Sequence, residues 1–489
     1  MHAPQHPPPA ADGLLATLRA LSTRPGDAVV SDAGTIGRPA FAARVAAAAE
    51  ALAASGIGPG VVVGVTLRGD SDHLLASLAL LATGAAQITL ASFSPAEARA
   101  ALADRVGAEV LLADGEADAL PGRRLLPWPA VLAGLPSGAA PSGPPPPDPD
   151  EPAMFFSGSG TTGRPKLVTA SFRQLLLRAG VAQGGCEGGR IFCFGSIEHD
   201  NAKRMRVFGA LLGGTAILSA RRGAALATFL RETGAEWVEG SLPHCALLLA
   251  RAEPLPDGVA MRVSGLRVPA ALRRDMMAAV TRRFWVSYGS TEGGRLTAAG
   301  PDHHDADEPV GPVLPGMEAS ILRPDGTEAA PGEPGDIRMR GPGMATGYLD
   351  DPAETARRFR KGWFHPGDIL SRRADGMLLF HGRADDMMIL NGINIFPAEI
   401  ETVLEGHPAV ANAAAMPIPS AAHGEIPVAA VELHPGAATT GEALLAFARA
   451  RLGLRAPRRV LVLEALPRNP MGKVLKREIA PRFAPAGAA

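Results

Sequence analysis

Between Gly13 and about Leu135, Ala- and Leu-rich stretches of helical spacing alternate with short apolar runs, among them Val61 to Leu67 and Gln87 to Leu90. This alternation predicts parallel strands joined by crossover helices, since a helix is needed to return the chain to the same edge of a sheet. The most apolar stretch, Leu74 to Ala91, is broken by Thr83, Gly84 and Gln87. It predicts a buried helix running into a strand, not a membrane span. Pro136 to Pro152 is a Pro/Gly/Asp tract. Proline donates no amide and biases its predecessor away from helix, so the tract reads as a surface linker. A second α/β stretch runs to about Thr297, and a strand-rich region punctuated by Gly and Pro follows from Glu308 to Phe380. The main boundary is expected near Arg383 to Asp386. Beyond it, Val410 to Met416, Val428 to Leu433 and Gly441 to Leu452 predict a small α+β domain. The expected organisation is a disordered leader at 1–12, an α/β N-terminal domain at 13–384 containing the linker, and a C-terminal domain at 385–489. No repeat of solenoid period is visible.

Composition narrows the function classes. With 46% hydrophobic and 20% charged residues, the 489-residue chain has material for more than one core, which excludes disorder along its whole length. Lys plus Arg number 48 against 49 Asp plus Glu, so there is no electrostatic footprint for nucleic acid or an anionic membrane. Cys186, Cys193 and Cys245 are too few for a disulfide framework or a four-ligand zinc site, and they read as buried small hydrophobes. The opening MHAPQHPPPAAD lacks the basic start and apolar core of a secretory signal. The protein is therefore expected in the cytoplasm, without a transmembrane segment.

Residues 155–166 read FFSGSGTTGRPK. Three glycines interleaved with Ser159, Thr161 and Thr162 make a loop whose amides and hydroxyls can turn in on phosphate oxygens, with Lys166 as a nearby point charge. The Gly158 to Gly163 spacing is that of half a Walker loop, but Arg164 and Pro165 replace the lysine and hydroxyl that should follow. Leu167 to Thr169 continue as a strand, and Ser171 with Gln174 predicts a capping box opening a helix at Phe172. The expectation is a phosphate loop between two strands; a plain Ser/Gly surface loop is the ordinary alternative.

Further motifs follow: VSYGSTEGG at 286–294, GDIRMRGPGMATGY at 335–348, GWFHPGDIL at 362–370, GRADDMMILNGINIFPAEIE at 382–401 and LPRNPMGKVLKREI at 466–479. In this order and at these separations, the motifs resemble those of the adenylate-forming superfamily of acyl-CoA synthetases, standalone adenylation enzymes and luciferase-like ligases, over roughly Phe41 to Ala480. The resemblance implies mixed sheets flanked by helices plus a distorted barrel, with a small mobile C-terminal domain. It also implies a reaction in which a carboxylate attacks the α-phosphate of ATP, pyrophosphate leaves, and a thiol of CoA or of a carrier-protein phosphopantetheine captures the acyl group. Charge moves across phosphate in such steps, so cations and amide donors should dominate the site.

On that resemblance, Ser159, Gly160, Thr161, Thr162, Gly163 and Lys166 hold the β- and γ-phosphates. Glu292, after Thr291, ligates Mg2+, a hard ion that takes oxygen ligands. Tyr288 and Gly289 flank adenine, Asp368 holds the ribose hydroxyls, and Arg383 is a second ribose or phosphate contact. Asp385 is the hinge, and Lys473 bridges the carboxylate and α-phosphate. Gly158 and Leu167 depart from the family pattern at the two ends of the phosphate loop. Ser264, Gly265 and Leu266, followed by Arg267, occupy the adenine-contacting Gly-Gly-Ala stretch.

On the same resemblance, residues 194–214 align with the region where relatives place a gate ahead of a pocket-lining helix, which makes His199 the gate, and Glu198, Asp200, Gly265, Gly289 and Ser290 are the other residues expected at the acyl pocket. Glu198, His199, Asp200 and Asn201 make this segment polar. In one reading Asp200 or Asn201 caps the helix and Asp200 pairs with Arg204. In the other, Glu198 or Asp200 faces the pocket and binds an ammonium or hydroxyl of the acid, because an unpaired buried carboxylate is costly. The function expected is an ATP- and Mg2+-dependent acid-thiol ligase acting on a small carboxylic acid. The alternatives are transfer to a nitrogen nucleophile and a silent nucleotide-binding regulator.

Overall fold

The computed structural model describes residues 17, 23, 25–134, 148–158, 165–182, 189–390, 393–420, 424–469 and 472–483. The expected leader, most of the expected linker, Cys186 and loop residues 159–164 lie outside them. Pro152, expected to end the linker, instead opens a strand, Pro152–Gly158. Proline is tolerated there because the first strand residue need not donate to the ladder.

Two sheets face each other across a layer of helices. Among the described residues, the larger sheet has eight strands. Its parallel centre contains Arg190–Cys193, Trp237–Gly240, Ala260–Ser264 and Phe284–Ser290, and Gly294–Ala299 closes one edge antiparallel. The second sheet has seven strands, with Val62–Thr66 and Ala86–Thr89 at its centre and the hairpin Pro152–Gly158/Lys166–Ser171 beside them. The apolar stretch from Leu74 resolves as expected into helix Asp70–Thr83 and strand Ala86–Thr89. Gly84, at φ +78°, ends the helix in the left-handed conformation that side chains resist. His73 through Thr83 are all buried, because this helix is covered on every side. Leu74, Leu78, Phe172, Leu175, Val207 and Phe208 belong to the core shared between the sheets.

The hairpin is as expected: Gly158 pairs with Lys166, and helix Phe172–Ala182 follows. Its capping box forms, Ser171 N donating to Gln174 Oε1 at 2.9 Å and Gln174 N to Ser171 Oγ at 3.2 Å.

The strand-rich region builds a third, antiparallel sheet from Glu318 to Arg383. Bridges Gly311–Leu378 and Thr297–Val313 join it to the edge of the eight-stranded sheet. The chain's last part has its own core around Ile395, Ile400, Leu404, Val431 and Leu444. There Val410–Ser420 and Gly424–Leu433 pair antiparallel, and Arg459–Leu463 adds parallel to the second. Cys193 and Cys245 are buried thiols, and among the described residues no helix is long and apolar enough to cross a membrane.

Candidate active site

Parallel strands present their following loops at one edge, so residues far apart in the chain meet there. Here the strands of the eight-stranded sheet lead to His199, Ser241, Gly265 and Thr291 at their carboxyl ends. The loop after Ala86–Thr89 meets them from the second sheet. Glu198 ties the two: its Oε1 accepts from Ser92 N at 2.6 Å and its Oε2 from Ser92 Oγ at 2.8 Å. Asp70 fixes the same loop, accepting from Ile197 N and from Arg206 Nη2 at 2.8 Å. Phe93, 57% exposed, stands with its ring 4.9 Å from that of His199.

The capping expectation for Asp200 is corrected. His199 is the N-cap of helix Asp200–Leu211, without a side-chain cap bond. Asp200 Oδ2 instead accepts from Ser157 N at 2.7 Å and Ser157 Oγ at 2.9 Å, clamping the strand that leads into the glycine-rich loop. Arg204 Nε donates to the Asp200 carbonyl at 3.3 Å, while the carboxylate, turned to Ser157, acts on the Arg204 charge from beyond ion-pair distance. Glu198 and Asp200, the two acids weighed as pocket residues, are both bonded to serines of the second sheet, Ser92 in a loop and Ser157 on a strand, a partnership that spacing along one helix cannot reveal.

Ser159, Gly160, Thr161, Thr162 and Gly163 lie outside the described residues. Lys166 Nζ pairs with Glu354 and lies 5.1 Å from the centre of the Tyr348 ring. Hydrogen bonds from Arg357, and then from Lys166 and Arg358, hold the Glu354 carboxyl far below its usual range against the opposing effect of burial. Glu292 Oε1 accepts from Tyr348 Oη at 2.7 Å. The turn carrying it is held by Arg178, whose Nη1 donates to Thr291 O at 2.8 Å and whose Nη2 donates to Glu292 O. Ser290 Oγ accepts from Gly293 N in the same turn. At Gly289 a Cβ would lie 2.3 Å from the Gly294 carbonyl, so only glycine fits the bulged pairing there.

Asp368 and Arg383 face one another in register on the third sheet. Asp368 Oδ2 accepts from Tyr288 Oη at 2.5 Å, and its Oδ1 accepts from Arg383 Nη1 at 3.0 Å. Burial pushes the carboxyl up, while Arg383 and the Tyr288 hydroxyl oppose the shift. Arg383 Nη2 also reaches Asp385 Oδ2 at 3.2 Å. Gly265 is exposed at φ +88°, with Leu266 beside it. Arg267 then pairs bidentately with Glu308 and, through Nη1 at 2.8 Å, with Glu405 of the C-terminal part.

Lys473 is exposed on a turn, its N–H donating to Asn469 Oδ1 at 2.9 Å. The preceding Gly472, at φ +82°, seats this turn so closely that a Cβ there would lie 2.6 Å from Pro243 Cγ. Pro243 opens helix Leu242–Ala250, whose His244 bonds Ser241 and stacks on Phe194. The turn carrying Lys473 thus meets the carboxyl edge of the eight-stranded sheet. Among the described residues no group of three or more His, Cys, Asp or Glu could hold a metal. A divalent ion at Glu292 would take that single hard oxygen together with phosphate and water, as magnesium does.

Arg178, Tyr348 and Glu354 were not singled out by sequence reading. Tyr348 closes a motif already conspicuous in the chain, and Glu354 has local partners in Arg357 and Arg358, but its pairing with Lys166 and the bonds of Arg178 to the Glu292 turn span more than a hundred residues and leave no local signal.

Profiles of two families match the chain: AMP-binding enzyme over residues 19–349 and AMP-binding enzyme C-terminal domain over 399–473. A long-chain-fatty-acid–CoA ligase of Escherichia coli O157:H7 is 36% identical over 197 residues, which cover 39% of this chain and only 34% of that ligase. A sulfoacetate–CoA ligase of Cupriavidus necator is 30% identical over 480 residues, 92% of this chain and 91% of the relative. In structure, ATP-bound MatB from Rhodopseudomonas palustris superposes with a TM-score of 0.86 at 23% identity, covering 97% of this chain and 99% of that one. With both family profiles matched in order, the chain is a member of the AMP-binding enzymes, the adenylate-forming superfamily.

Proposed function

We propose that the protein is a ligase that activates a small carboxylic acid with ATP and Mg2+. The substrate carboxylate attacks the α-phosphorus, the bond to the bridging oxygen breaks, and pyrophosphate leaves with an acyl-adenylate behind. A thiol, that of CoA or of a carrier-protein phosphopantetheine, then attacks the acyl carbon, gives up its proton and displaces AMP. The reaction belongs in the cytoplasm, where ATP and CoA are supplied.

The observation that carries this reading is the meeting of the Lys473 turn with Pro243 at the sheet edge that also presents His199, Thr291 and Glu292. On this reading Lys473 offers its ammonium to the oxygens on which charge builds in the first step. Lys166 and the glycine-rich loop, Ser159 to Gly163, cradle the β- and γ-phosphates. Asp368 and Arg383 hold the ribose, and Tyr288, Gly289, Gly265 and Leu266 flank the base. Glu292 would hold the magnesium ion, which when bound neutralises phosphate charge. His199 and Ser290 border the acyl pocket, with helix Asp200–Leu211 as one wall. The Arg383 to Asp386 segment is the hinge, with Asp385 at its centre, about which the C-terminal part turns between the two steps.

Pyrophosphate release across a panel of carboxylic acids, followed by product analysis with CoA, a phosphopantetheinylated carrier or an amine as acceptor, tests this. Release that depends on acid and yields a thioester supports the reading, and amide formation would move the second step to a nitrogen nucleophile. ATP binding without release under any acid would leave the silent regulator standing instead.

A further inference from the structure

One buried guanidinium reaches three segments of the chain at once. Arg358 is the last residue of helix Pro352–Arg358. Its Nε donates to Glu354 Oε1 at 3.0 Å, one turn back on the same face of the helix. Its Nη1 donates to the His365 carbonyl at 3.3 Å and lies over Gly367, where a Cβ would come within 2.1 Å of it. Its Nη2 stands 3.5 Å from Asp385 Oδ2. The Gly367 carbonyl accepts from Ala384 N at 2.9 Å, so the turn ahead of Asp368 and the start of the Arg383 to Asp386 segment are bonded to each other beside the guanidinium.

Glu354 carries more than Arg358. Its carboxylate also takes Lys166, from the second strand of the hairpin, and Arg357, through Nε at 2.5 Å and Nη2 at 2.8 Å. Asp351 caps the helix by accepting from Glu354 N at 2.9 Å, which fixes Glu354 in the first turn, where a carboxylate is favoured. A continuous run of charges therefore goes from Lys166 through Glu354 and Arg358 to Asp385. Its two ends differ in strength. The Glu354 and Arg358 side chains are 13% and 7% exposed, whereas Asp385 is 50% exposed and meets Arg358 at the longest of these contacts, so water and salt weaken that end first.

We propose that Arg358 is a positioning residue for the Arg383 to Asp386 segment, and that its grip on Asp385 is set by what Lys166 binds. This rests on the proposed ligase reading, in which Lys166 meets phosphate and Asp385 is the centre of the hinge. With Lys166 on Glu354, three cations share one carboxylate. A polyphosphate that draws Lys166 away leaves that carboxylate to Arg357 and Arg358 alone. Arg357, already bonded through two nitrogens and 56% exposed, has little more to give. Arg358 then closes on Glu354 and gives way at Asp385, because a buried charge follows the partner that is also buried. Asp385 keeps Arg383 Nη2 at 3.2 Å, so the segment loosens without losing its last ion pair.

The test is hydrogen–deuterium exchange of the full chain, read over residues 383–388 with and without inorganic pyrophosphate as the probe. Exchange there reports local opening, since the Ala384 amide is the one bonded to Gly367. In wild type, pyrophosphate should raise exchange over 383–388 by roughly fivefold or more, the low end of coupling between sites. Glu354→Gln should bind pyrophosphate more tightly, because Lys166 no longer has to leave a carboxylate, and should show no rise on binding. Arg358→Lys keeps the charge but not the fork that spans Glu354 and Asp385; it should bind pyrophosphate within a few-fold of wild type and lose the rise. A merely structural role would speed exchange in this variant yet leave the response to pyrophosphate intact. A rise in Arg358→Lys equal to that of wild type overturns the proposal, as does a wild type that binds pyrophosphate without a rise. A rise that persists in Glu354→Gln would mean that Arg358 answers the polyphosphate directly, and overturns the route through Glu354. Pyrophosphate that fails to bind wild type, or that binds Lys166→Ala as tightly, is a different failure: it removes the phosphate role of Lys166 from the ligase reading, and this inference with it.

Discussion

Arg267 joins the two parts of the chain, and removing its partner in the C-terminal part should separate the two half-reactions. The guanidinium keeps Glu308 on its Nε and Nη2, at 2.7 and 3.0 Å, and Glu405 on its Nη1 at 2.8 Å. The side chains of Arg267 and Glu405 are 17% and 18% exposed, so salt screens them weakly. Burial raises the Glu405 carboxyl, with Arg267 opposing, so part of the pair's attraction is returned as desolvation. Glu405→Ala removes one hydrogen bond between charged groups, about 1.5–3 kcal/mol gross. Allowing for the carboxylate regaining water when undocked, about 1–2 kcal/mol should be lost from the seated orientation. That corresponds to a roughly 5- to 30-fold change in the ratio of seated to unseated molecules. Dyes placed on the two parts should report the shift by energy transfer. Single-turnover adenylation should slow while thioester formation from supplied acyl-adenylate does not. Arg267→Ala combined with Glu405→Ala should show a coupling of about 1 kcal/mol or more in a double-mutant cycle. Unchanged dye separation together with both rates within twofold of wild type would refute the reasoning, and the pair would then be ornamental to the domain arrangement.

Lys473→Ala should lower adenylation by about 100-fold or more through loss of a cation at the reacting oxygens, with the thermal midpoint unmoved because the side chain is exposed; a rate within a few-fold of wild type removes Lys473 from the step. Gly472→Ala should depress the same half-reaction, since its Cβ meets Pro243 at 2.6 Å and the φ of +82° disfavours a side chain; normal adenylation would show that the turn seats differently in catalysis. Tyr348→Phe removes the hydroxyl on Glu292, and the Mg2+ concentration at half-maximal rate should rise about 2- to 10-fold, an unaltered requirement arguing against Glu292 as the ligand. Burial brings the Lys203 ammonium down to about 7 from its usual 10.5. The unfolded chain therefore binds more protons between those limits, and stability should climb with pH from about 7 towards 10.5. Lys203→Met should flatten that climb in denaturant titrations at several pH values, and an equal slope in both proteins would show that Lys203 is not the group responsible.

Much was legible locally. The helix-to-strand passage at Leu74–Ala91, the hairpin in place of a Walker loop, and the Ser171–Gln174 box each depend on residues within a turn or two of one another, where periodicity, glycine conformation and capping chemistry are fixed by sequence neighbours. The motifs that carry the family's chemistry are local in the same way, since a backbone loop that approaches phosphate must be written contiguously. What the sequence could not decide was how isolated charges are spent. Glu198 and Asp200 flank His199 and suggest a pocket for an ammonium or hydroxyl, yet their partners, Ser92 and Ser157, come from the other sheet. Arg204 is expected to pair with Asp200 at the spacing of one helical turn, yet the fold lays its guanidinium over Phe156 with its Nε on the Asp200 carbonyl. The sequence by itself determined the elements, the order of the motifs and the family. Tertiary structure alone decided which partner each charge takes, because a salt bridge or hydrogen bond depends on distance in space, and two packed sheets bring Glu198 to Ser92 and Asp200 to Ser157, 106 and 43 positions away along the chain.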